Sequence, residues 1–348
     1  MKNKILASLL LIVVLLTGGC GNSKYIVDEN KQPIKYEVTG QYLQKDILCQ
    51  PKDKELFDLY KKYDKQMLVS IEDLPSCDEY QVNSNKSTGL WEFLFVKPLA
   101  WLLLKTGELV GNYGISVILI GLLIRIILVP FTYKTQKQSI NMKKAQSELQ
   151  RLEKKYQNKK DQESMMMKSQ EMMAIYKKHN IKPMGGCLIA FIQLPVFFAF
   201  WQALNRVPAI FEGKLLGFNL GMTPAHGLST GNYMYLILLI LIALSTYFSF
   251  KYTMKTTPMQ TEEMQKQTNL MLNIMTVMIV FTSLSLSTSL SFYWITTYAF
   301  ISIQTFIFRR MFNKIENSDS KKIKKNKTQG KINEKLKIKE GMKYGKNN

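Results

Sequence analysis

The 348-residue chain has little with which to run catalytic chemistry. It holds two histidines, His179 and His226, and neither lies in a long apolar run. That argues against a Ser-His protease working inside a bilayer. No His-Glu-x-x-His pattern and no Gly-x-x-x-x-Gly-Lys-Ser/Thr loop occurs, so neither a zinc-protease helix nor P-loop ATP hydrolysis is expected, and no cofactor or metal is called for. Acidic residues are missing from five long apolar runs, residues 113–133, 187–204, 233–250, 270–286 and 290–308. No internal repeat is visible, unlike the usual build of a transporter.

Those runs are themselves the main positive signal. A stretch of about 17–25 apolar residues has the length of a bilayer-crossing helix, so the chain reads as an all-α membrane protein with five crossings. Residues 1–19 read as a signal peptide. Lys2 and Lys4 precede the apolar stretch Ile5–Leu16, and the small residues Gly18 and Gly19 precede Cys20. That pattern suggests a lipoprotein cleavage site, with Cys20 becoming an acylated, palmitate-type N-terminus; an uncleaved anchor, or an ordinary signal with an idle cysteine, is the alternative. Residues 20–88 form a polar segment, a small domain or partly ordered linker, with a helical pattern around Lys54–Met67. If this segment is exported, a disulfide between Cys49 and Cys77 is permitted. Residues 89–108 are apolar but interrupted by Glu92, Lys97 and Pro98. With Trp91 and Trp101 they read as a helix lying in the outer interface.

Charge orients the chain. Residues 134–182 hold thirteen Lys or Arg against five acids, and the tail from Arg309 holds fourteen against four. Residues 21–88 are net negative, with ten Lys and twelve acids. Lys and Arg concentrate in cytoplasmic segments. Residues 134–182, the loop 251–269 and the tail 309–348 are therefore expected inside, and the N-terminal segment and the loop 205–232 outside. Met142, Ala145, Leu149, Leu152 and Tyr156 follow a coiled-coil-like spacing. Met165, Met172 and Tyr176 continue it beyond the polar turn at Asn158–Asp161, predicting a helical hairpin. Pro183, Gly185 and Gly186 predict a helix break after it.

Arg125 stands near the middle of the first crossing. A charge there costs about 2.5 kcal/mol on insertion scales, and the sequence offers no intramembrane acid to pair with it. Gly114, Gly121 and Thr132 share its face at helical spacing. That face is expected to point into the bundle, towards water; an arginine snorkelling to headgroup phosphates is the alternative. Gln193, Asn273, Tyr293, Thr297 and Gln304 supply milder polarity. Each alone suits interhelical hydrogen bonding, and together with Arg125 they would line a hydrophilic groove. An abundance of methionine, nineteen residues, suits apolar partners of varied shape or simple seam filling. The lysine-rich tail suits ribosomal RNA or anionic lipid headgroups.

Several stretches resemble the YidC-type insertase family. These are Met172-Met173-Ala174-Ile175-Tyr176, Lys182-Pro183-Met184-Gly185-Gly186-Cys187, Gln193-Leu194-Pro195-Val196-Phe197, and Gly111-Asn112-Tyr113-Gly114 followed by Arg125 and Pro130. The resemblance covers about residues 89–310 and looks like the Gram-positive branch. It implies five helices around a groove and a groove arginine at Arg125, and Pro195 is expected, with Pro183, Gly185 and Gly186, to break a helix. The implied partners are nascent membrane proteins, a Sec-type translocon, the ribosome and membrane lipids. A small anion transporter or channel, or a structural subunit of an export complex, is the rival reading. Ser287-Thr288-Ser289 departs from the Pro or Gly that the family often carries between its last two crossings.

Overall fold

The computed structural model describes residues 24–84, 89–159, 161–181, 185–256 and 262–314. Cys20 and Pro183 lie outside the described residues, as does nearly all of the basic tail. The chain forms two compact units, Met1–Ser302 and Ile303–Asn348.

Residues 24–84 fold into a packed layer rather than a linker. A two-stranded antiparallel sheet joins β1 (Lys35–Tyr36) to β2 (Gln41–Tyr42). Helix α1 (Lys54–Lys62) starts where the Asp53 side chain accepts the Leu56 N–H, supplying one of the donors a helix start leaves open. Ile26, Leu43, Ile47, Leu56, Tyr60, Ile71 and Leu74 form its core, closed by Phe211 from far along the chain. Cys49 and Cys77 are joined by a disulfide, with Cα atoms 4.9 Å apart.

The interfacial segment contains a π-helical stretch, Glu92–Val96, followed by α2 (Lys97–Val110), which ends at Gly111 with φ 68°. A left-handed residue stops a helix cheaply only when it is glycine. Asn112 then caps α3 by accepting the N–H groups of Gly114 and Ile115.

Helix α3 runs unbroken from Tyr113 to Tyr156, 44 residues or about 66 Å at 1.5 Å per residue. The expected boundary at residue 134 is therefore a change of surroundings and not a break in the backbone. Helix α4 (Gln162–Lys178), capped by Asp161, folds back on the end of α3. Ala145, Leu149, Tyr176 and Ile181 are buried between them, with Met142 and Met172 alongside. Met165 departs from the seam and is exposed.

Helix α5 (Gly185–Arg206) begins at the glycines expected to break the chain. Gly185 and Gly186 open the helix, because the preceding one has already stopped at Lys178. Pro195, also expected to break a helix, lies inside α5, which continues through it. Proline removes one backbone donor, a loss that neighbouring helices and local adjustment accommodate in apolar surroundings.

The loop 205–232, expected to be outside, is structured, with α6 (Pro208–Phe211), a ladder of β3 (Lys214–Leu215) with β4 (Phe218–Asn219), and α7 (Pro224–Ser229). Helices α8 (Met234–Thr256) and α9 (Glu262–Ser283) follow. Residues 288–302 are helical and close the first unit; in the second unit, residues 303–314 are helical. The Ser-rich turn is pinned to the loop 205–232. Thr288 donates its N–H and its hydroxyl to the Met222 carbonyl, and the Ser289 N–H reaches Leu220 at 2.8 Å. These contacts do what a Pro or Gly would otherwise be asked to do. Among the described residues, two helical stretches are long and apolar enough to cross a membrane, Tyr113–Tyr156 and Met234–Thr253.

Candidate functional site

The site is built around Arg125 on α3. Two glycines turn that helix inward: Gly114 lies against Leu215, and Gly121 against the Tyr293 ring. One turn beyond Gly121, Arg125 is 7% exposed. The ionisable groups within its electrostatic reach are Tyr293 and Tyr298, and no acid pairs with it among the described residues. Its Nε has no hydrogen-bonding partner there, and neither do the Tyr293 hydroxyl, the Thr297 hydroxyl or the buried Thr246 hydroxyl of α8. Buried polar atoms without partners cost about 1–3 kcal/mol each. These four belong to α3, α8 and the last helix of the unit, and a buried polar atom left open in this way is a place for water or a guest polar group.

Aromatic packing holds the cluster's frame. Phe200 of α5 stacks on Tyr293 with centroids 4.2 Å apart, and Phe197 lies parallel to Trp294. The Phe250 ring of α8 meets Tyr298 edge-on. Gln193, half-buried, precedes Phe197 and Phe200 by four and seven residues and so shares their face. The sequence-expected groove residues thus divide. Arg125, Tyr293 and Thr297 are buried in the first unit, with Gln193 on the facing stripe. Asn273 is exposed on α9, and Gln304 belongs to the second unit. Thr246 and Tyr298 went unnoticed in the sequence because a lone Thr or Tyr in an apolar run is unremarkable.

A second charged cluster sits where α5 meets the N-terminal layer. Arg206 places Nη2 2.7 Å from Glu92 Oε1 and Nε 3.1 Å from Asp46 Oδ2, and Nε also donates to the Asp46 carbonyl at 2.6 Å. Burial pushes the Asp46 carboxyl above its ordinary range, outweighing the lowering by Arg206. Lys97, fully buried beside them, is lowered by the same desolvation. Glu212 accepts the N–H groups of Lys52 and Asp53 at 3.1 Å each, and burial raises its carboxyl too. These contacts clamp residues 24–84 onto the helix ends. Glu92 stood out in the sequence as an acid in an apolar run, but nothing local pairs it with a residue 114 positions away.

A sequence model of the 60Kd inner membrane protein family matches residues 105–316. The chain belongs to that family. Among relatives in it, the membrane protein insertase YidC of Alkalihalophilus pseudofirmus is 33% identical over 240 residues, 68% of this chain and 88% of that protein. The membrane protein insertase MisCA of Bacillus subtilis is 34% identical over 224 residues, 64% of this chain and 80% of that protein. Arg125 and all its described neighbours fall within the 60Kd family match, whereas residues 24–84 precede it.

Proposed function

We propose that this chain is a membrane protein insertase that draws the polar flank of a nascent segment into the wet cluster around Arg125. The carrying observation is a buried guanidinium whose Nε lacks a partner and whose ionisable neighbours are two tyrosines and no acid among the described residues. A carboxylate or a hydrated polar flank entering there meets a charge already desolvated and donors already in place, which lowers the cost of bringing it below the headgroups. The apolar part then leaves sideways into lipid, driven by burial at about 25 cal/mol per Å², so no nucleotide is consumed. In this reading α5, α8, α9 and the last helix cross the bilayer with the apolar part of α3. The hairpin at residues 134–182 receives substrate in the cytoplasm, and Cys20 carries the lipid anchor outside. A Sec-type translocon and the ribosome are the proposed partners, the latter met by the hairpin and the basic tail.

Insertion of a small single-span substrate with an acidic flank into vesicles holding the purified protein tests this. Arg125→Ala is expected to lower insertion at least tenfold, and Arg125→Lys to keep part of it. Unimpaired insertion by the alanine variant would defeat the role of Arg125. Flux of a small anion through the same vesicles, with no insertion, would favour the transporter reading.

A further inference from the structure

The outer face carries a cavity of about 270 Å³ between β1–β2, α7 and the turn after α9, room for several waters. Its polar lining comprises Lys35, Tyr42, Thr223, His226, Ser229 and Ser285, with no carboxylate among the lining residues. The lining is therefore rich in donors and of one charge sign. Lys35 Nζ sits 5.0 Å above the Tyr42 ring, a cation–π contact that keeps the ammonium at the wall. The imidazole is fixed as well. It packs so closely on Gly40, at φ 70°, that a Cβ there would lie 2.7 Å from the ring.

Depth comes from the surrounding elements. The Ala225 N–H bonds to the Leu284 carbonyl at 3.0 Å, tying α7 to the turn that follows α9. Helices α8, α9 and the segment from residue 288 all begin or end in this layer. A smaller cavity shares Gly40, Tyr42, Thr223 and Ser285 with the first and is walled by Trp201 and Leu286. Tryptophan beside helix ends marks headgroup level.

We infer that this cavity holds the phosphate of an anionic lipid headgroup from the outer leaflet. Lys35, His226 and the hydroxyls of Thr223 and Ser285 supply charge and donors for phosphate oxygens, the Ser229 hydroxyl being donated to the His226 carbonyl, and the Trp201–Leu286 wall leads toward the acyl region. The inference rests on the proposed orientation but is independent of the part assigned to Arg125. Val38, 52% exposed beside the cavity, reports the side. A Val38→Cys variant labelled from outside intact cells by a membrane-impermeant maleimide supports the orientation, and labelling only after lysis removes it.

Binding is read separately by calorimetry on the full-length protein in neutral-detergent micelles. Dihexanoylphosphatidylglycerol is expected to bind saturably, and dihexanoylphosphatidylcholine at least tenfold more weakly, because its choline meets the same positive wall. Lys35→Glu and Ser285→Asp, both at exposed positions, are each expected to weaken phosphatidylglycerol at least tenfold. Unchanged binding in both variants overturns the site. Inorganic phosphate binding as tightly as the lipid would assign the cavity to free phosphate and overturn the lipid. A glutamate-rich peptide that binds where phosphatidylglycerol does not would overturn it in favour of a polypeptide.

Discussion

Replacing Arg206 by methionine tests the clamp between the N-terminal layer and the helix ends. The guanidinium is 8% exposed and the Glu92 side chain 6%, whereas Asp46 is 24% exposed. Removing one partner of a buried pair costs about 3–5 kcal/mol, chiefly through the charge left behind. The partly exposed Asp46 recovers some hydration, which places the expected loss near 3 kcal/mol. At about 2.1 cal/mol/K of unfolding entropy per residue, a chain of 348 residues moves its midpoint by about 1.4 °C for each kcal/mol, so a fall of about 4 °C is expected. The measurement is thermal unfolding of the full-length protein in micelles, with limited proteolysis of residues 24–84 alongside. The double variant Arg206→Met, Glu92→Gln is expected to recover part of the loss, because it no longer strands a carboxylate. A single variant as stable as the parent, or a double variant no better than the single, would refute the assignment of the cost to buried charge.

Three further outcomes follow from the same contacts. Gly114→Ala would place a Cβ 2.6 Å from Leu215 Cβ, so a loss of about 1–3 kcal/mol is expected from overpacking, seen as a lower unfolding midpoint. Cys49 and Cys77 are 28 residues apart, and a loop of that length corresponds to about 3.6 kcal/mol in the chain-entropy account. Alkylating the unreduced, denatured protein should leave both cysteines unmodified, and Cys49→Ser, Cys77→Ser should unfold at a lower temperature. Asp46 and Glu212 have carboxyls raised by burial from 3.8 and 4.5. Their protonated forms are favoured in the folded state, so their contribution is fully present below the ordinary carboxylate values and is lost as pH rises through the raised ones. Midpoints of Asp46→Asn and Glu212→Gln across pH 4–7 should therefore vary less with pH than those of the parent.

Much of this was legible in the sequence because hydrophobic runs and lone charges act locally. The inward face of Gly114, Gly121 and Arg125 follows from helical spacing. Long-range pairing was not legible. Nothing near Glu92 names Arg206, and nothing near Thr288 names the Met222 carbonyl. The order within residues 24–84 was hidden for a related reason: its core is assembled from irregular segments with no period, and one of its members, Phe211, is supplied by the loop 205–232. Met165 shows the converse error, since helical spacing assigns a face but not whether a neighbour covers it.

Helix α3 has a mechanical consequence. Arg125 and Tyr156 lie on one rod, 31 residues apart by number and so about 47 Å along its axis, with a single compliant point at Pro130, where one backbone tie is absent. A pull on the Tyr156 end works a lever whose fulcrum is five residues from the guanidinium. A displacement at that end can thereby tilt the wall that carries Arg125.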